Sequence, residues 1–264
     1  MEKRIPGNIE EARRLTNIAI TTGQMLVKNG AEIYRAEDTI ERMVLSREIV
    51  QEVDVFALSS AIFVSAEYRG ESITMLKDIK SYGVNLAKID ALNAFSRHFV
   101  AGDIPLDEAH NELLAISQMP ARKPLVSMFF TGLCSASFAV MFGGTWYDFA
   151  YTFFIGAMLN GCLRLTGEHN LSFFAEVFIG TLVVSILALF GSYFFPRLHM
   201  DMLIIGSIMP LVPGMVITNS FRDIISGDYV SGLIGITKGI FVALTIALGV
   251  GVILNIQKMF MLGG

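Results

Sequence analysis

Charged side chains become scarce after residue 123: residues 1–123 carry 33 of the 44, and the remaining 141 residues carry 11. Cysteine is almost absent. Cys134 and Cys162 both fall in apolar stretches without metal-ligand spacing, so they read as small packing residues and no disulfide framework is expected. There is no Walker-type loop, no paired-histidine spacing and no Gly-x-Ser-x-Gly turn. These absences argue against nucleotide-driven, zinc-dependent and serine-hydrolase chemistry, so we expect no enzyme, no cofactor and no metal. His98 and His110 stand alone and read as surface or satisfied residues. A formal net charge of -4 argues against nucleic acid as a partner. The start, Met1 to Gly7, leads into no apolar run, so no signal peptide is expected.

What is present is apolar surface: 53% hydrophobic residues and a mean hydropathy of +0.57, well above a soluble domain. With the uneven charge, this predicts a polar portion over 1–120 and a membrane portion over 121–264. In the polar portion Asn8 is placed to cap a helix with Ile9, Ala12, Leu15, Ala19 and Leu26 on one face, and Gly30 to end it. A second helix carries Ile33, Ala36, Ile40, Met43 and Val44, with Glu32, Arg35, Glu37 and Asp38 at its start. Taken alone, those charges read as a solvated, self-paired helix start. Short β-branched runs from Ile49 to Lys80, with Arg69-Gly70-Glu71 as a turn, predict a small antiparallel sheet. Helices are expected at 85–100 and 106–118. The portion reads as an α+β domain at the cytoplasmic membrane surface.

The second portion predicts about five transmembrane helices: 124–143, 146–164, 172–194, 200–218 and 231–256. Trp146, Tyr147 and Tyr193 sit where interfacial aromatics belong. Arg122, Lys123, Arg164 and Arg222 mark one side and Arg197 and Lys258 the other, which favours a cytoplasmic N-terminus. The fifth span carries a small-residue stripe through Gly232, Gly235, Gly239, Ala243, Ala247 and Gly251, suited to close helix approach. The fourth is interrupted by Pro210-Leu211-Val212-Pro213-Gly214, then Asn219, Arg222 and Asp223. In hydrocarbon such a break persists only if it is buried in protein or lines a wet cavity; a plain proline kink is the competing reading. Asn160, Glu176 and Lys238 are polar groups in the other spans. Intramembrane ionisable groups point to function. Glu176 at an interface, Lys238 snorkelling and Asn160 bonding a neighbouring helix are the structural alternatives.

The run Gly30-Ala31-Glu32-Ile33-Tyr34-Arg35-Ala36-Glu37-Asp38-Thr39, five spans, and Pro210–Gly214 followed by Thr218-Asn219-Ser220-Phe221-Arg222-Asp223 together resemble the bacterial threonine/serine exporter family. The resemblance covers nearly the whole chain. Full-length members carry a second membrane half in one chain, so this sequence resembles the larger subunit of the split, two-protein form. A small membrane protein supplying the second half, or a homo-oligomer, is the implied partner. The implied location is the bacterial cytoplasmic (inner) membrane, multi-pass. Single-chain members are associated with threonine and serine, split relatives with succinate-type dicarboxylates. The resemblance also marks Gly30, Glu32, Arg35, Glu37 and Asp38 as a signature.

The expected function is secondary export of a small carboxylate, driven by the proton gradient. Pro210, Pro213, Gly214, Asn219, Arg222, Asp223 and Asn160 are the expected substrate path. Arg222 would attract the carboxylate. Glu176, Asp223 and Lys238 are the proton-coupling candidates. Gly232, Gly235 and Gly239 are expected to pack helices. The alternative is a tethered hydrolase-like or sensor domain whose membrane part serves as anchor and assembly surface.

Overall fold

The computed structural model describes residues 7–80, 83–102, 104–120, 122–168 and 171–262. The chain divides into two compact units. The first comprises Met1–Pro120 with Met215–Thr237, and the second Ala121–Gly214 with Lys238–Gly264. The first unit thus takes in 23 residues, 215–237, from the apolar half.

In the first unit, α1 (Ile9–Lys28) opens on Asn8, whose Oδ1 accepts the Glu11 N–H at 2.9 Å. It closes on Gly30, at φ +95°, with Gly30 N–H donating to Val27 and Ala31 N–H to Leu26. This is the left-handed glycine ending expected from the sequence. A Cβ at Gly30 would also lie 3.2 Å from the Gly83 carbonyl. Helix α2 (Ile33–Leu45) follows two residues later. The sheet β1 (Glu52–Ala57), β2 (Ala61–Tyr68), β3 (Glu71–Asp78) is antiparallel in that order. Arg69 and Gly70 both take positive φ in the β2–β3 turn, as a tight hairpin requires. Ile62, Val64, Ala66 and Tyr68 alternate along β2 into the core, while Phe56, Phe63 and Leu76, cross-strand partners, stay exposed. Helices α3 (Leu86–Val100) and α4 (Leu106–Ser117) complete the core with Leu92, Phe95, Phe99 and Leu113. Arg47, two residues past the end of α2, donates to the carbonyls of Phe99, Gly102 and Ile104. It thereby supplies a partner for the Phe99 carbonyl in the last turn of α3 and for the loop that follows.

The second unit contains α5 (Pro124–Met141), α6 (Trp146–Glu168), α7 (Phe173–Phe194), α8 (Met200–Ile208) and most of α10 (Tyr229–Leu262). Among the described residues, α5, α7 and α10 are long and apolar enough to cross a membrane. The bent pair formed by α8 and α9 (Gly214–Ile225) would make a fourth. Five spans were expected. The one not represented on this measure is α6, which has 23 residues but carries Asp148, Asn160 and Arg164.

Small residues set the closest helix contacts in this unit. A Cβ at Gly132 on α5 would lie 2.6 Å from the Phe153 carbonyl on α6. One at Gly206 on α8 would lie 2.8 Å from the Ser135 carbonyl on α5. Backbones this close give the van der Waals contact that holds helices together in lipid. Both cysteines are free, and Cys134 is exposed rather than packed as expected from sequence.

Candidate functional site

The first unit brings two distant polar runs together. Helix α2 begins at Ile33 with Glu32 in the capping position, but the Glu32 side chain makes no capping hydrogen bond. The Ile33 N–H donates instead to Asp223 Oδ1 at 3.1 Å, from α9. Asp223 is buried, and its carboxylate sits at the positive end of the α2 dipole. On either side, Asn219 Nδ2 donates to the Gly30 carbonyl at 3.0 Å and Arg222 Nη1 to Glu32 Oε1 at 2.6 Å. Asn219, Arg222 and Asp223 lie at i, i+3 and i+4 on α9, so one helical face delivers all three. The Gly30–Asp38 cluster is thus self-paired only in part, through Arg35–Glu32 at 3.5 Å and Arg42–Asp38 at 2.8 Å.

A second layer lies beside this joint. Glu37 Oε1 accepts the Ala57 N–H at 2.7 Å, and the Ser231 hydroxyl on α10 donates to the Ala57 carbonyl at 3.5 Å. The end of β1 is therefore held from α2 and from α10. Asp228, which precedes α10, has its buried Oδ2 without a hydrogen-bond partner among the described residues. The carboxyls are biased in opposite directions. Burial pushes Glu32 up, but its backbone hydrogen bond, the Arg222 hydrogen bond and the charges of Arg35 and Arg222 outweigh this and leave it lowered. Burial raises Glu37, the Ala57 N–H opposes, and the charges of Asp228 and Asp223 add to the rise. Asp228 is raised by burial.

The second unit holds the break itself. Met209–Leu211 forms a single 3-10 turn after α8, Val212 is extended as a residue before proline should be, and α9 restarts at Gly214. Pro210 borders a cavity of about 260 Å³ with Arg122, Ser127, Phe130, Thr131 and Cys134. Behind Thr131 stands Asn160 on α6, whose Nδ2 donates to the Thr131 hydroxyl at 3.1 Å. Arg164, one turn further on, donates to Asn160 Oδ1 and to the Arg122 carbonyl, both at 3.3 Å. Among the described residues no carboxylate pairs with Arg164 or Arg122. The cavity's lining is mixed, with Arg122 as its one cation and the Ser127 and Thr131 hydroxyls beside it, and Arg164 stands behind. One unneutralised guanidinium at the wall and a second behind it suit a small anion with an apolar part.

The remaining expected residues lie elsewhere. Glu176 is half-buried in the first turn of α7. The Lys238 ammonium lies over the Phe173 ring, 4.7 Å from its centroid. Pro213 and Gly214 open α9, and Gly214 has open space around it. Gly232 and Gly235 meet α9 at Ser220 and Ile224, while Gly239 is buried and Ala243 and Ala247 are exposed. Sequence reading used Arg122 and Arg164 only as orientation markers and passed over Thr131. The available signal was the Asn160–Arg164 pair at i, i+4 in an apolar helix.

The family model described as "Putative threonine/serine exporter" matches residues 17–257. The chain is 18% identical to a "Probable threonine/serine exporter" of Mycobacterium tuberculosis, over 96% of this chain and 48% of that protein. It is 24% identical to "Pheromone-regulated membrane protein 10" of Candida glabrata, over 94% of this chain and 32% of that one. It is 23% identical to the Escherichia coli "Probable succinate transporter subunit YjjP", over 93% and 94%. The chain therefore spans about half and a third of the first two relatives, and nearly all of the third. No protein of solved structure matches it.

Proposed function

This chain belongs to the threonine/serine exporter family, and from that premise we propose that it is a subunit of a secondary exporter of small carboxylates. The observation that carries this reading is the cavity at Pro210, with Arg122 at its edge and the Thr131–Asn160–Arg164 chain of hydrogen bonds behind it. A helix break frees backbone groups that need partners, and the Arg122 guanidinium, with Arg164 held behind it, complements a carboxylate. Amino acids and dicarboxylates share that group. The likeness to the Escherichia coli succinate transporter subunit over nearly its full length supports action with a second membrane component.

In this proposal the inner membrane holds α5, α6, α7, the α8–α9 pair and α10 as five passes, with residues 1–120 cytoplasmic. Pro210, Pro213, Gly214 and Asn160 border the substrate path. Asn219, Arg222 and Asp223 act through the signature residues Gly30, Glu32 and Ile33, so that the cytoplasmic unit governs the helix that restarts after the break. Glu176, Asp223 and Lys238 remain the candidates for proton coupling.

The test is efflux of threonine, serine and succinate, measured side by side from loaded cells expressing the chain with its second component. Arg164→Gln and Asn160→Ala are expected to lower efflux of the true substrate at least about tenfold, the scale of one lost charge-assisted hydrogen bond, with membrane levels unchanged. Full efflux in both variants would exclude this cavity as the substrate path.

A further inference from the structure

A second cavity in the membrane unit, of about 560 Å³, is lined by Tyr147, Ala150, Tyr151 and Phe154 of α6 and by Phe195, Pro196, Arg197 and Leu198 between α7 and α8. Its volume is in the range of small-molecule sites, but its lining is aromatic and aliphatic, and Arg197 is its one formal charge. The walls are held in place. Tyr151 donates its hydroxyl to the Leu187 carbonyl at 3.3 Å, and its ring lies on α7 where Gly191 leaves room. Phe154 and Phe195 stand 6.1 and 6.2 Å from that ring, centroid to centroid. The loop is anchored by buried Asp148, which accepts the Thr145 N–H at 2.7 Å and the His199 N–H at 2.8 Å and pairs with His199 Nδ1 at 2.9 Å.

The cation at this groove is aimed but not neutralised. Arg197 Nη1 donates to the Tyr147 hydroxyl at 2.8 Å, and the guanidinium lies against that ring. Among the described residues no carboxylate is within ion-pair distance of it, and Arg197 is exposed. The surroundings are those of a membrane–water boundary: α6 starts at exposed Trp146 and α7 ends at exposed Tyr193 and Phe194. A small polar metabolite would find one cation and two tyrosine hydroxyls that are already engaged, Tyr147 with Arg197 and Tyr151 with the Leu187 carbonyl. A molecule with a hydrocarbon chain and an anionic head satisfies both parts.

We propose that this groove binds an anionic phospholipid, one acyl chain against Tyr151, Phe154 and Phe195 and the phosphate on Arg197. The proposal rests on the membrane reading of the second unit. The full chain, purified in mild detergent, is offered equal amounts of phosphatidylglycerol and phosphatidylethanolamine with the same acyl chains, and retained lipid is quantified by mass spectrometry. Phosphatidylglycerol is expected to be retained roughly tenfold over phosphatidylethanolamine, as one charge-assisted contact implies. Arg197→Gln abolishes the preference, Ala150→Trp fills the groove and loses both lipids, and Lys258→Gln changes nothing. Equal retention by the unaltered chain overturns the proposal. So does a preference surviving in Arg197→Gln, undiminished retention in Ala150→Trp, or an equal loss in Lys258→Gln. The assay contains no transported substrate, so a failed efflux test leaves its result standing; absence of the chain from membranes would remove both readings.

Discussion

The Asp223 carboxylate caps a helix that starts 190 residues earlier, accepting the Ile33 N–H at 3.1 Å. A capping side chain usually comes from the residue just before the helix, and here that residue, Glu32, is turned to Arg222 instead. Removing the distant cap leaves a buried N–H without a partner. Asp223→Ala is expected to destabilise the first unit by about 1–2 kcal/mol, and Asp223→Asn, which keeps an acceptor, by less. Thermal unfolding of the full chain in detergent checks the order. Equal loss in the two variants would mean that the carboxylate charge, not the hydrogen bond, holds the joint.

The Arg222–Glu32 pair predicts a pH effect with a definite sign. Burial disfavours the Glu32 charge, but the backbone hydrogen bond, Arg222 and Arg35 together hold its pKa below the ordinary 4.5. A lowered carboxyl pKa contributes stability that is fully present above the unfolded value and lost as pH falls through the folded value. Glu32→Gln is therefore expected to destabilise at neutral pH and to flatten the loss of stability below about pH 4.5. A double-mutant cycle with Arg222→Gln should return a coupling of about 1 kcal/mol or less, because the Arg222 side chain is 58% exposed. Additive effects would leave the pair without energetic weight.

Local signals made much of the first unit legible. Asn8, Gly30 and Arg69-Gly70 act on backbone groups within a few residues, and each does what its position predicts. The break at Pro210–Gly214 is equally local. The joint was not legible, because Asn219, Arg222 and Asp223 find partners 189 or 190 residues away and no periodicity links them. Each run could be recognised as a family signature, but nothing in either said that one completes the other. The small-residue stripe was read at its full length. Only its first turns serve α9, whereas Gly132 and Gly206, which stand in no regular series, make the close contacts of α5 with α6 and α8.

Glu37 should behave in the opposite sense to Glu32. Burial is the largest cause of its raised pKa, with the nearby charges of Asp228 and Asp223 adding to it and the Ala57 N–H opposing. A raised carboxyl pKa means that stability is complete below the unfolded value, near 4.5, and falls as pH rises through the folded one. Glu37→Gln keeps an acceptor for the Ala57 N–H and removes the charge. It is expected to stabilise the chain at neutral pH, with no gain below pH 4.5. A loss of stability at neutral pH would show that the ionised carboxylate is needed at Ala57.

The last prediction separates two parts of one helical stripe. At Gly232 an added Cβ would lie 2.7 Å from the Ser220 carbonyl and also strike the Ile224 side chain. At Gly235 it would strike the Ser220 hydroxyl. A carbonyl fixed in α9 cannot yield as a flexible side chain can, so Gly232→Ala is expected to cost about 1–3 kcal/mol. Gly235→Leu, with far more volume against the same residue, should cost at least as much and loosen α9 from α10. Gly251 belongs to the same stripe but has nothing within 4 Å of an added Cβ. Gly251→Ala is therefore expected to be neutral, or to stabilise α10 by up to about 1 kcal/mol through helix propensity. Thermal unfolding compares the three variants, and crosslinking between cysteines placed on α9 and α10 follows the contact directly. If Gly251→Ala costs as much as Gly232→Ala, the stripe acts through a property of α10 itself, and its contact with α9 is not what the small residues serve.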